Sequence, residues 1–160
     1  MVRQFSAGGV VYRKQGQLTL FLVKKSSQTP GYYAPGQWCL PKGWLDDAGP
    51  DKPGPKTLGL KRATSQEVAA TATREVAEET GVKAKIISRL GSNQFFFVDH
   101  NREKVLKTVI FFLMEHVSDL PTGFSAETSE IKWVTADEAS RLLAKRKGEA
   151  ELVKKAASLL

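Results

Sequence analysis

Apolar and polar positions along the 160-residue chain change period several times, and the changes mark out its elements. Residues 5–12 are dominated by small and apolar side chains ending in Val10-Val11-Tyr12, and a second apolar run covers 18–23. The polar, Gly16-containing stretch between them makes the pair read as a β-hairpin. Residues 26–37 are rich in Gly, Pro and polar side chains and read as a loop; it carries Tyr32 and Tyr33, which a loop does not need for packing. A short strand is expected at 38–40. Between 46 and 64, Pro50, Pro53, Pro55, Gly49, Gly54 and Gly59 exclude a helix or central strand through most of the segment. A loop this long inside a compact domain is usually functional or disordered.

A helical period then takes over. Thr64-Ser65-Gln66-Glu67 fits a capping box, and the helix it opens runs through Val68, Ala72 and Val76 to Gly81, placed where a left-handed C-terminal cap is expected. Residues 86–90, 95–98 and 105–114 are rich in β-branched and aromatic residues, with Asp99-His100-Asn101-Arg102 as a hairpin turn between the last two. Residues 131–134 offer a further strand. Thr135 or Asp137 can cap a helix through Leu142-Leu143, and residues 151–160 form another amphipathic helix. Strands on both sides of a central helix, with helices again at the end, predict an α+β or α/β sandwich with a mixed sheet. The length predicts a single domain over 1–160, with a Pro/Gly-rich insertion at about 46–64.

Composition narrows this picture. At 41% apolar and 26% charged the chain is neither disordered nor fibrous. Its longest uninterrupted apolar run, residues 109–114, is far short of the ~20 residues of a membrane span. The single Cys39 cannot form an internal disulfide and reads as a small buried hydrophobe, so the cytoplasm is the expected location. The net charge of +7 is local: residues 1–66 hold ten Lys/Arg against three acids, whereas 67–160 hold fourteen of each sign. A basic half of this kind suits an anionic ligand such as a polyphosphate, although a solvated basic surface has the same signature.

The chemistry concentrates at the end of the central helix, Arg74-Glu75-Val76-Ala77-Glu78-Glu79-Thr80-Gly81-Val82. At about 100° per residue, Glu78 and Glu79 lie roughly 60° and 40° from Glu75, so three carboxylates share one face. They repel one another, and they meet the negative end of the helix macrodipole. Two local rules are broken at once, and the natural compensator is a hard divalent cation with oxygen ligands, Mg²⁺ first and Mn²⁺ second. The competing reading is a solvated acidic patch, with Arg74 paired to Glu78 and Lys83 or Lys85 screening the rest. Upstream, Trp38-Cys39-Leu40-Pro41-Lys42-Gly43 runs a strand into a tight turn, where Lys42 would suit a phosphate held by metal and cation together.

These residues resemble the Nudix hydrolases, whose signature is Gly, five residues, Glu, seven residues, then Arg-Glu-U-x-Glu-Glu-x-Gly-U with U aliphatic. Gly43 matches the opening glycine, and Arg74, Glu75, Val76, Glu78, Glu79, Gly81 and Val82 match the second half position by position. The likeness extends to residues 6–12, 107–113 and 133–139, nearly the whole chain. It implies a Nudix-type α/β/α sandwich and hydrolysis of a diphosphate bond in a nucleoside polyphosphate or related nucleoside-diphosphate-linked compound. Glu75, Glu78 and Glu79 then correspond to the metal ligands, and Arg74 to the arginine that orients a catalytic glutamate. A further acid commonly comes from the loop before the last strand; Glu127 is the candidate, with Glu130 competing. Residues 38–43 and 111–113 are similar to dinucleoside-polyphosphate hydrolases; oxidised nucleoside triphosphates, nucleotide sugars, ADP-ribose and inositol pyrophosphates stay open. No membrane partner is expected.

The chain departs from the signature in two ways. Thirty residues separate Gly43 from Arg74 where the signature has thirteen, so 17 extra residues enter, and they are the Pro/Gly loop. The first signature glutamate is replaced by Gln66, with Glu67 one residue later; Glu67 is claimed by the capping box, or alternatively faces the same site. Lys52, Lys56, Lys61 and Arg62 make the inserted loop a candidate mobile basic lid over substrate phosphates. Tyr32 and Tyr33 are candidates for stacking on a nucleobase. Gln66 and the basic half also suit an alternative, a catalytically weak Nudix-like domain that binds nucleotide or RNA without hydrolysing it.

Overall fold

The computed structural model describes residues 1–27 and 36–160. Tyr32 and Tyr33 lie outside the described residues. Among the described residues, seven strands and three helices follow one another as β1 (Val2–Gln15), β2 (Leu18–Ser26), β3 (Trp38–Cys39), β4 (Lys42–Trp44), α1 (Ser65–Thr80), β5 (Val82–Val98), β6 (Lys104–Asp119), β7 (Thr128–Val134), α2 (Ala136–Leu142) and α3 (Lys147–Ser158).

The sheet is mixed. Its path runs β3-β2-β1-β6-β5, with β4 also on β1 and β7 also on β2. β1 and β6 lie parallel at its centre, from Val2 opposite Val105 to Tyr12 opposite Glu115, whereas the other strand pairs are antiparallel. That centre explains the apolar runs of the sequence, because strands covered on both faces need apolar side chains in both phases. Successive residues divide between two cores. Val10, Val23, Phe111 and Leu113 pack with Leu143, Leu152 and Val153 beneath α2 and α3. Val11, Leu22, Phe112 and Met114 pack with Val68, Ala72 and Val76 of α1. Period-2 alternation thus builds both interfaces of an α/β/α sandwich from the same strands.

The ends of α1 follow local chemistry. Thr64 Oγ1 accepts from the Glu67 N–H and the Glu67 carboxylate accepts from the Thr64 N–H, so the capping box is formed. Gly81 closes the helix at φ 70°, a conformation open to glycine. Thr135 caps α2.

The structure revises two expectations. Residues 82–98 form one long strand, not two, because pairing with β6 carries it through the polar segment Gly91-Ser92-Asn93-Gln94, with register shifts at Lys83/Ala84, Ile86/Ser88 and Arg89/Gly91. The inserted segment is folded against the body. Asp46 Oδ1 and Oδ2 accept from the Thr57 and Lys56 N–H groups, the Thr57 hydroxyl bonds the Asp46 backbone, and Phe5 N–H donates to Thr57 O at 2.7 Å. Lys56 is ion-paired to Glu67, so one of the lysines assigned to a mobile lid instead ties the insertion to the start of α1.

Candidate active site

The acidic face of α1 is brought against the turn between β3 and β4. Glu79 is buried, and its Oε1 accepts from the Lys42 N–H at 3.0 Å and lies 3.4 Å from Lys24 Nζ. Glu75 is buried beside Gly43: a Cβ at that position would overlap the Glu75 carboxyl group, which gives the opening glycine of the motif its physical reason. Arg74 Nη1 lies 3.0 Å from Glu75 Oε1 and 3.4 Å from Glu78 Oε2, and Nη2 donates to the Trp44 carbonyl at 3.4 Å. One guanidinium therefore joins two of the three glutamates to β4. Glu78 is the exposed member, with 54% of its side chain accessible.

Burial and mutual repulsion set the electrostatics. Removal from water, followed by the charge of Glu79, pushes the Glu75 carboxyl up to about 7, against the pull of Arg74. Burial also raises Glu79, opposed by Lys24 and by the Lys42 N–H. The charge of Glu127 raises both groups, which places this acid within electrostatic reach of the pair. Its neighbour Thr128 fixes the segment by donating from Oγ1 to Glu79 O at 2.7 Å, and Ser125 N–H donates to Glu78 O at 2.8 Å. Glu130 is instead carried along β7 opposite Lys25.

Gln66 is exposed at the first turn of α1, and Glu67 is engaged by the capping box and Lys56. The Lys42 ammonium, expected to face substrate phosphate, is turned into the core, where it bonds Glu149 Oε2 at 3.1 Å; the part of Lys42 that reaches the acidic face is its backbone N–H. Cys39 is buried, and burial raises its thiol pKa, which suits a packing role. His116 bonds Asp119 and meets Trp133 edge-on.

Two contributors were not singled out from the sequence. Lys24 shares the inward phase of β2 with Leu22, so a lysine at a core-facing strand position was the available signal. Glu149 stands on the apolar stripe of α3 with Leu152, Val153 and Ala156, three, four and seven residues later.

Oxygen-only donors at Glu75, Glu78 and Glu79 suit a hard dication, and two buried carboxylates in one another's field are stabilised by such a charge. Among the described residues, however, no three acidic, His or Cys side chains already converge as a cage.

The NUDIX domain family model matches residues 2–156. The chain belongs to the NUDIX family. Within that family it is 34% identical over 107 residues to MutT4 of Mycobacterium tuberculosis, a match covering 67% of this chain and 36% of the relative. The match thus spans about a third of the length of that curated relative. Its fold is similar to that of a Caenorhabditis elegans Ap4A hydrolase binary complex, with a TM-score of 0.64, 20% identity, and coverage of 99% of this chain and 97% of that one. It is also similar to the NUDIX domain of Shewanella oneidensis NrtR complexed with ADP ribose, with a TM-score of 0.62, 17% identity, and coverage of 99% and 89%. At these identities the solved structures bear on the fold, which is the Nudix α/β/α sandwich. No helix among the described residues is long and apolar enough to cross a membrane.

Proposed function

We propose that this chain is a metal-dependent Nudix pyrophosphohydrolase that cleaves a diphosphate bond in a nucleoside polyphosphate or related nucleoside-diphosphate-linked compound. The observation that carries this reading is the pair of buried carboxylates, Glu75 and Glu79, held on one helix face beside the more exposed Glu78, with Glu75 raised to about 7. A protein interior tolerates such a pair when a dication offsets its charge. Glu75, Glu78 and Glu79 would hold Mg²⁺ or Mn²⁺, which when bound supplies charge neutralisation at the phosphoryl oxygens and acidifies water.

The chain's own residues do the rest. Arg74, fixed to the Trp44 carbonyl, orients the Glu75 and Glu78 carboxylates. Lys24 and the Lys42 N–H both engage Glu79 Oε1. Glu127 adds a carboxylate near Glu75 and Glu79, so the site holds more than one acid able to accept the proton of an attacking water. Lys52, Lys61 and Arg62 are exposed on the insertion, the last two shortly before α1. Ap4A and ADP-ribose, named with the two structural relatives, support dinucleoside polyphosphates and nucleoside diphosphate sugars as the first substrates to test.

The test is a substrate panel read by free phosphate and pyrophosphate, with Mg²⁺, Mn²⁺ or a chelator, alongside calorimetric titration of each metal. Turnover that requires the metal, with metal uptake lost in Glu78→Gln, is the expected result. No turnover together with strongly salt-dependent RNA binding would replace this reading with the binding-only one, which the glutamine at position 66 favours.

A further inference from the structure

We propose that Glu149, on α3 and far from the acidic face in sequence, is a positioning residue for that face, acting through the β3–β4 turn. Its carboxylate is wholly buried beneath α3 and serves two segments. Oε1 accepts from the Leu40 N–H at 2.7 Å. Oε2 takes the Lys42 ammonium at 3.1 Å and Arg146 Nη1 at 3.1 Å. The Lys42 side chain is only 2% exposed, so its charge depends on buried partners.

The residues gripped from below touch the site from above. The Lys42 backbone N–H donates to Glu79 Oε1 at 3.0 Å, and Gly43 packs on the Glu75 carboxyl. The turn therefore has two sides: α3 fixes the backbone N–H of residue 40 and the side chain of residue 42, while the backbone of residues 42 and 43 fixes two glutamates of α1. Glu149 and Glu79 lie in different helical layers, and the β3–β4 turn bonds to both. Hydrophobic groups of similar volume commonly replace a buried ion pair with little loss of stability, so fold stability alone gives this acid no special standing on an apolar helix stripe. Its two bonds to the turn account for it differently, because they hold the Lys42 N–H where Glu79 needs a donor.

This inference rests on the proposed metal-dependent hydrolysis for its kinetic readout, but its structural readout is independent of turnover. Amide hydrogen exchange at Lys42 reports the bond to Glu79 directly. Glu149→Gln, which keeps an acceptor for the Leu40 N–H, and the double variant Glu149→Met/Lys42→Met, which removes the buried Lys42–Glu149 pair but keeps Arg146, are compared with the wild-type chain, each with its melting temperature. In the double variant, where the Leu40 N–H loses its acceptor and Arg146 loses Glu149, we expect a melting temperature lowered by several degrees and, well below that melt, exchange at the residue 42 amide at least tenfold faster and a severalfold higher Mg²⁺ concentration for half-maximal calorimetric uptake. With a competent substrate, kcat falls at least tenfold and KM stays within twofold. Glu149→Gln falls between the wild type and the double variant in exchange and metal uptake, while loss of the anion beside the buried Lys42 ammonium lowers its melting temperature. Folded variants with wild-type exchange at residue 42 and wild-type metal uptake would overturn the positioning role. Faster exchange in the variants, together with a wild-type chain that never turns over substrate, would leave the positioning role standing and overturn the hydrolase reading.

Discussion

Helix α1 carries glutamates near both ends, and the two ends treat them oppositely. Glu67 stands in the first turn, where its carboxylate accepts from the Thr64 N–H, pairs with Lys56 and meets the positive end of the macrodipole. Glu75 and Glu79 stand in the last two turns, buried, with no basic residue in the final turn and a raised carboxyl at each. The first end satisfies every local rule and needs nothing further. The second is left with a charge problem that the chain only partly solves, through Arg74, Lys24 and the Lys42 N–H. Chemistry is to be sought where the fold leaves such a problem open.

The most severe challenge to this contrast comes from pH in the presence of a chelator. Glu75 ionises near 4.5 in the unfolded chain and about 7 in the folded one, so between these values the native state holds the extra proton. Stability then falls as pH rises across that window and levels above it, by about 3 kcal/mol at most for a shift of this size. Glu79, raised by burial, adds in the same direction. Thermal melts from pH 4.5 to 8 should show the decline in the wild type and a flatter profile in Glu75→Gln, and Mg²⁺ should restore more stability at pH 8 than at pH 5. A wild-type profile that is flat or rises with pH would mean that Glu75 carries no such strain.

Next in size is a contrast in rate. Glu78→Gln should lower kcat/KM at least a hundredfold, equivalent to about 2.7 kcal/mol, whereas Gln66→Ala, at an exposed site in the first turn, should change it by less than threefold. Equal losses in a steady-state assay would show that position 66 joins the site after all.

The contrast between the ends also explains how much could be read in advance. Both ends of α1 were legible because a capping box and a terminal glycine are local devices whose partners lie within four residues. The glutamate cluster was legible for the same reason, since helical spacing alone puts Glu75, Glu78 and Glu79 on one face. What the sequence did not disclose depends on distant partners. Gly91 and the polar residues after it read as a break until β6 supplies their pairing. The insertion read as a long loop from its Pro and Gly, and as a candidate lid from its four cations, without revealing that Asp46 would close on the N–H groups of Lys56 and Thr57. Lys42 read as a phosphate ligand because nothing local shows Glu149, 107 residues away, waiting beneath it.

That closure of the insertion gives a smaller test. Asp46→Ala leaves two backbone N–H groups without their acceptor and should lower stability by about 2 kcal/mol. KM for a polyphosphate substrate should rise less than twofold if the segment is a fixed wall. A severalfold increase in KM would return the insertion to the role of a substrate-handling lid.

The smallest expected effect tests whether the ends of α1 are independent. Thr64→Ala removes the acceptor for the Glu67 N–H but leaves the acidic face untouched; caps of this kind contribute about 1 kcal/mol, which for a chain of this length lowers the melting temperature by a few degrees. Thr64→Ser, which keeps the hydroxyl, should recover most of that loss. Glu75 lies eleven residues further on, roughly 16 Å along the axis at helical rise, and is held by Gly43 and Arg74 rather than by the cap. kcat and metal uptake of Thr64→Ala should therefore match the wild type at temperatures well below its melt. If they fall in step with stability, the acids at the far end are held by the helix as a whole, and the distinction between a satisfied end and a strained one fails.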